Sequence, residues 1–198
     1  MDRALGVQWC VEANQFKFRI VIQDKPPTRR YILSLVSSVY DPLGFLAPEV
    51  LPAKKVLQEL CGLKLSWDDM IPDHLAQQWF DWIKDLQLLT EFGVDRCFKP
   101  AHFGEATHGQ LHHFCDASEE GYGTVTYLVQ QNSKGQVHSA FVMGKARVAP
   151  LKPTTVPRLE LTAATMAVRM DGLIRKELEL QLTNSIFWTE LCSSTTTK

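Results

Sequence analysis

Leu111-His112-His113-Phe114-Cys115-Asp116-Ala117-Ser118-Glu119-Glu120-Gly121-Tyr122-Gly123 is an apolar run that stops on an acid and reopens through glycines. That pattern predicts a β-strand delivering a carboxylate to its own end. Two further β-compatible runs follow, Thr124 to Val129 and Val137 to Met143, with Asn132-Ser133-Lys134-Gly135 between them as a turn. Together they predict a three-stranded antiparallel meander. A helix carrying Glu160 comes next, and then a strand-like run, Ser185-Ile186-Phe187-Trp188-Thr189, which ends on Glu190. The order is acid at a strand end, acid in a helix, acid at a strand end.

Between meander and helix, Lys145 to Arg158 holds Lys145, Arg147, Lys152 and Arg158 with no acid among them, and is stiffened by Pro150, Pro153 and Pro157. A basic loop beside a carboxylate cluster suits a phosphate backbone, and equally reads as a solvated charged loop. Proline at 157 suits a helix start, with Thr154 or Thr155 as its cap. Within the helix Glu160 shares a face with Ala163, Ala164 and Ala167. Small residues there let the helix approach the sheet closely, so Glu160 is expected to face inward, where an acid wants a partner or a cation. His112 and His113 point to opposite faces of their strand, so at most one can reach Asp116, and both read as structural.

Upstream, Leu5-Gly6-Val7-Gln8-Trp9 and Gln15 to Ile22 flank the polar turn Glu12-Ala13-Asn14, and Phe16, Phe18, Ile20 and Ile22 alternate with Lys17 and Arg19. This predicts a hairpin. A hairpin alone is marginal in water, and this one begins almost at Met1, which suggests a fragment of a larger protein. After Pro26-Pro27, Thr28 is placed to cap a helix with Ile32, Leu35, Val36 and Val39 on one face; Asp41-Pro42-Leu43-Gly44 ends it. A second helix is predicted from Ala47-Pro48 toward Gly62, and a third after Pro72-Asp73 with Leu75, Trp79, Trp82, Ile83, Leu86 and Leu89 as its stripe. The tryptophans follow the stripe, so they read as core. Gly93 to Gly109 shows no clear period.

The chain of 198 residues, 45% hydrophobic, has room for one full domain and a smaller neighbour. Lys plus Arg total 21 against 22 acids, so the net charge of −1 gives no global pull toward nucleic acid or membrane, and any basic surface must be local. Five scattered cysteines without a Cys-x-x-Cys pair argue against a disulfide framework or zinc site and for an intracellular protein, cytoplasmic or nuclear. No run approaches the roughly 20 apolar residues of a membrane helix, so no membrane partner is expected.

If the last strand pairs parallel to the first through a crossover, Asp116 and Glu190 lie side by side and the helix can lay Glu160 over them. Three converging carboxylates repel unless a cation sits between them. Hard oxygen ligands favour Mg2+ or Mn2+, which can activate a water for phosphodiester cleavage. Taken singly, each acid also reads as an ordinary surface or capping residue.

Phe114-Cys115-Asp116-Ala117-Ser118, Gly121-Tyr122-Gly123, Pro157-Arg158-Leu159-Glu160-Leu161 and Phe187-Trp188-Thr189 resemble the ribonuclease H segment of BEL/Pao-type retrotransposon polyproteins. Leu5-Gly6-Val7-Gln8-Trp9, Leu33-Ser34 and Tyr40-Asp41-Pro42-Leu43-Gly44 resemble the stretch just upstream, where the reverse transcriptase palm ends and its helical thumb begins. The resemblance implies Mg2+-dependent cleavage of RNA in RNA–DNA hybrids. By matching position it makes Asp116, Glu160 and Glu190 the catalytic and metal-binding carboxylates. Its implied partners are an RNA–DNA hybrid and the remainder of the Pol polyprotein. The family pattern has Thr-Asp-Ser where this chain has Thr189-Glu190-Leu191. A glutamate reaches one methylene further, enough to misplace an ion by about 1 Å, which can cost on the order of 100-fold in rate. The family's fifth strand and fourth carboxylate lie beyond Lys198, so a degenerate or truncated piece, inactive alone, is expected; a non-catalytic nucleic-acid-binding remnant is the alternative. An aspartic-type retrotransposon peptidase, whose name the group also carries, is a further alternative, although such a protease uses Asp-Thr-Gly or Asp-Ser-Gly and Asp116-Ala117-Ser118 lacks that glycine.

The expected fold is mixed, α+β or α/β: a palm-end β-hairpin over 1–24, a helical thumb-like region over 25–95, a linker over 96–110, a truncated ribonuclease H-like domain over 111–192, and a polar tail over 193–198. Its sheet has three antiparallel strands, a helix and a fourth, parallel strand.

Overall fold

The computed structural model describes residues 2–4 and 7–190, with side chains from residue 7 onward. The expected polar tail, and Leu5 and Gly6 of the first hairpin run, lie outside the described residues. The chain divides into two compact units, residues 1–97 and 98–198.

The first unit opens with β1 (Asp2–Ala4), β2 (Val7–Cys10) and β3 (Gln15–Lys17), an antiparallel set in which Trp9 faces Phe16 across the ladder. Asn14 closes the expected turn in the left-handed region, φ 52°, and its side-chain oxygen accepts from Arg96 Nε at 2.9 Å. The alternating run Gln15 to Ile22 does not remain a strand. Pairing ends at Lys17 on both sides, and Phe18 turns into the helical core with Ile20 and Ile22 packed against it. Period-2 spacing there reflects an extended chain lying on helices, which strand periodicity alone does not distinguish from a ladder.

The three predicted helices are present. Helix α1 (Arg29–Ser38) is capped by the Thr28 hydroxyl, which accepts from the Tyr31 amide at 3.3 Å. Asp41 then gathers the amides of Gly44, Phe45 and Leu46 at 2.7 to 3.0 Å, and Gly44 takes φ 80°, so the turn delivers the chain into α2 (Ala47–Gly62). In α3 (Asp73–Leu88) Leu75, Trp79, Trp82 and Leu86 are all buried, as the stripe predicts, and Trp82 Nε1 donates to the Glu49 carbonyl of α2 at 2.7 Å.

Two boundaries move. Residues Gly93–Asp95 form β4, which pairs antiparallel with β3 to give the sheet order β1-β2-β3-β4. Hairpin and helices therefore form one unit, because the chain returns after α3 to complete the hairpin's sheet. The expected linker over 96–110 is shorter as well, since β5 (Ala106–Ala117) begins five residues before Leu111. The polar stretch Ala106 to Gln110 carries no hydrophobic alternation, and it is strand because β6 (Gly121–Asn132) runs the full length beside it.

The second unit is the predicted mixed sheet. β5, β6 and β7 (Val137–Val148) form an antiparallel meander, α4 (Val156–Glu177) follows, and β8 (Ile186–Thr189) pairs parallel with β5, in the order β7-β6-β5-β8. Thr155 stands at the N-cap of α4, though its side chain makes no capping hydrogen bond. The turn between β6 and β7 is held by Asn132, whose side-chain oxygen accepts from the amides of Lys134 and Gln136, with Gly135 at φ 77°.

One face of this sheet is closed by α4. Met170 and Ile174 pack with Leu111, Leu128 and Val142, while Ala163 and Ala167 pack against Cys115 with Tyr122 alongside. Small residues at 163 and 167 let the helix lie close to the first strand's end.

Candidate functional site

The parallel pairing of β8 with β5 sets Cys115 opposite Thr189. Asp116 is the next residue of β5 and Glu190 the next after β8, so the two acids stand at neighbouring strand ends, both exposed. The Asp116 carboxylate accepts from the Ala117 amide at 2.7 Å, and its ladder partner on β6 is Gly123. A Cβ on Gly123 would come within 3.0 Å of the Lys145 carbonyl, so the glycine permits close strand approach beside the acid.

Strand alternation decides where these side chains go. Leu111, His113 and Cys115 are buried beneath α4, and Phe114 and Asp116 therefore take the other face. Phe114 and Trp188 stack on that face, nearly parallel at 5.9 Å, and Tyr127 and Phe141 continue the row edge to face at 6.0 Å.

Glu160 faces inward from α4, as its neighbours predict. It is 3% exposed, and its Oε2 has no hydrogen-bond partner. A buried carboxylate oxygen without a donor is costly, by about 1 to 3 kcal/mol or more, and is the kind of atom a cation would satisfy. Yet among the described residues no three His, Cys, Asp or Glu side chains are grouped to hold a metal ion. The topology brings two strand ends and a helix together, while the side chains of Asp116, Glu160 and Glu190 do not form a ligand set.

The basic stretch is not one loop. Lys145 and Arg147 lie on β7, opposite Thr124 and Tyr122; Lys152 is in the connection to α4, and Arg158 is in its first turn. Strand β7 persists because β6 supplies a partner as far as Val148. All four basic side chains are exposed, and none has an ion-pair partner among the described residues. In the first unit a cavity of about 290 Å³ is lined by Val7, Gln8, Lys17 and Arg19 among others, a place the sequence did not mark.

His112 and His113 do take opposite faces. His112 lies beside Trp188, accepting at Nδ1 from the indole Nε1 at 3.2 Å, and its Nε2 meets Gln110 Oε1 at 3.1 Å. His113 is wholly buried between Thr126 and Asp171. Asp171 escaped the sequence reading. The signal was present, since Asp171 is eleven residues from Glu160 and so three helical turns along the same stripe.

A mixed sheet of three antiparallel strands and a fourth parallel one, backed by a helix that bears a buried acid between two strand-end acids, defines a ribonuclease H-like domain. The family model described as Pao retrotransposon-like RNaseH-like domain matches residues 28–191, and the chain belongs to that family. The match takes in the three helices of the first unit as well as the mixed sheet. A search of curated proteins returned no match.

Proposed function

We propose that this chain is a nucleic-acid-processing segment of a retrotransposon Pol polyprotein that binds RNA–DNA hybrids, and that by itself it does not cleave them. The observation that supports the reading is the parallel register of β5 and β8, which sets Asp116 and Glu190 at neighbouring strand ends. Lys145, Arg147, Lys152 and Arg158, which have no ion-pair partner among the described residues, supply local cations for a phosphate backbone on a protein with no net positive charge. The absence of a three-acid group among the described residues supports inactivity without further protein. Family membership supports the polyprotein context, with the helical region as a thumb-like grip on the duplex.

A fluorescently labelled RNA–DNA hybrid titrated with the purified chain in Mg2+, and separately in Mn2+, tests both halves. Hybrid binding that weakens with salt and in the K145A/R147A/K152A variant, without RNA cleavage, is the expected result. Cleavage abolished by Asp116→Asn and Glu160→Gln would overturn the inactive reading. Failure to bind at low salt would overturn the hybrid reading.

A further inference from the structure

Strand β8 has little to hold it. It pairs over four residues at the sheet's edge, and Phe187, Trp188 and Thr189 are exposed. The chain reaches it from α4 through residues 178–185; Leu182 bridges to Gly109, Gln110 Nε2 donates to the Asn184 carbonyl at 2.9 Å, and the end of the passage is gathered by one carboxylate. Asp171 Oδ1 accepts from His113 Nε2 at 3.0 Å, from Arg175 Nε at 3.1 Å and from the Ser185 hydroxyl. Arg175 Nη2 in turn donates to Ser185 Oγ at 2.7 Å and to the Thr183 carbonyl, while the Thr183 amide donates to the Gly109 carbonyl of β5 at 2.8 Å. The Phe187 ring stacks on the imidazole of His113, centroids 4.7 Å apart, and His113 Nδ1 lies 2.8 Å from Thr126 Oγ1 of β6. Helix α4, strands β5 and β6, and the end of the passage into β8 thus meet around one aspartate–histidine pair, the histidine wholly buried and the aspartate half-buried.

We propose that Asp171 is a positioning residue for the acid-bearing strand ends: acting with Arg175, Ser185 and His113 it clamps residues 183–189 onto β5, holds Glu190 beside Asp116, and loosens when His113 gains a proton. The clamp's relevance to nucleic-acid processing rests on the function proposed above.

A carboxylate beside Nε2 requires the proton there, and in the neutral ring Nδ1 is the acceptor that faces the Thr126 hydroxyl. Burial pushes His113 below the ordinary histidine value and outweighs the pull of Asp171, with Arg175 of α4 and His112 of its own strand acting in the same direction as burial. The residues facing it from β6 and β8, Thr126 and Phe187, carry no charge. Burial works to raise Asp171, but the hydrogen bonds from Ser185 and His113 and the charge of Arg175 hold it below the usual carboxylate range. When His113 is protonated, Nδ1 becomes a donor, and the Thr126 hydrogen must turn to Met170 Sδ, 3.2 Å away and a weak acceptor.

Amide hydrogen exchange of the whole chain, read by mass spectrometry from pH 7.5 to 5.5 and corrected for intrinsic rate, tests this. Peptides covering 183–189 should exchange about tenfold faster at the acid end, where local opening is the event reported, while the core of β5 and β6 stays protected. Asp171→Asn, and the milder Ser185→Ala, should expose the same peptides at every pH. His113→Gln keeps a donor for Asp171 but cannot titrate, so it should retain protection and lose the pH dependence. Wild-type protection that ignores pH, or pH dependence that survives in His113→Gln, would overturn the histidine's part; unchanged protection in both Asp171→Asn and Ser185→Ala would overturn the clamp. Hybrid binding measured on the same samples separates the two readings, because the exchange pattern stands or falls without any nucleic acid.

Discussion

Glu160 shows how a single side chain can work against the fold that holds it. Its neighbours along α4, Leu159, Ala163, Ala167, Met170 and Ile174, are apolar and buried, and it sits among them with one oxygen unsatisfied. Replacing it with methionine, similar in length and without charge, is expected to raise unfolding free energy by about 1 to 2 kcal/mol in urea melts. A loss of stability would mean the carboxylate has a stabilising partner after all. Thr28 illustrates the opposite case. Its hydroxyl serves a free amide at the start of α1, so Thr28→Ala should cost about 1 kcal/mol by the same measurement.

At the scale of elements, α4 and β5 make the second unit, and their contact has two textures. Toward the C-terminal end of the helix it is bulky, with Met170 and Ile174 on Leu111 and Leu128; toward the acids it is small, with Ala163 and Ala167 on Cys115. Leu111→Ala should therefore leave a cavity and cost about 2 to 5 kcal/mol, whereas Ala167→Leu should overpack and cost about 1 to 3 kcal/mol while lifting the helix from the strand end. Crystal structures of the two variants would separate these effects, since the first should leave the helix in place and the second should displace it. The first unit carries a similar single point of closure in Asp41, whose carboxylate takes three successive amides ahead of α2.

For the whole molecule, charge and proton linkage set how it responds to its surroundings. The proposed binding of nucleic acid through four local cations predicts a log–log salt dependence in which each neutralised side chain lowers the slope by about 1, with little change in sequence preference. Stability should be greatest at neutral pH. His113 and Asp171 are both depressed in the folded state. Each stabilises above its unfolded value and ceases to do so as the pH falls, His113 first below about 6.5 and Asp171 below about 4. Glu49 works the other way, since burial and then Asp85 raise it, so its contribution is present below the unfolded value and fades as the pH rises through the folded one. Urea midpoints at pH 7.5 and 5.5 check the balance, and the midpoint should drop at the lower pH; an equal or higher midpoint there would contradict it.

Much of this architecture was legible in the chain because its signals are local. Thr28, Asp41-Pro42 and Ala47-Pro48 mark helix ends by side-chain and backbone chemistry that needs no distant partner. The alternation that ends on Asp116 and the small stripe beside Glu160 likewise define a strand and a buried helix face from near neighbours alone. What escaped depends on pairing at long range. Residues 106–110 and 145–148 are strand because β6 lies beside them, residues 18–22 are not because their ladder partners run out, and β4 is strand because β3 is waiting for it. The sequence by itself thus determined the order of elements and the acids at their ends, since helix caps and hydrophobic periods are written within a few residues. Only the tertiary structure decided which face of the sheet Asp116 takes and that Asp171 joins His113, Arg175 and Ser185, because strand alternation and burial become definite only once the sheet's partners and covering helix are in place.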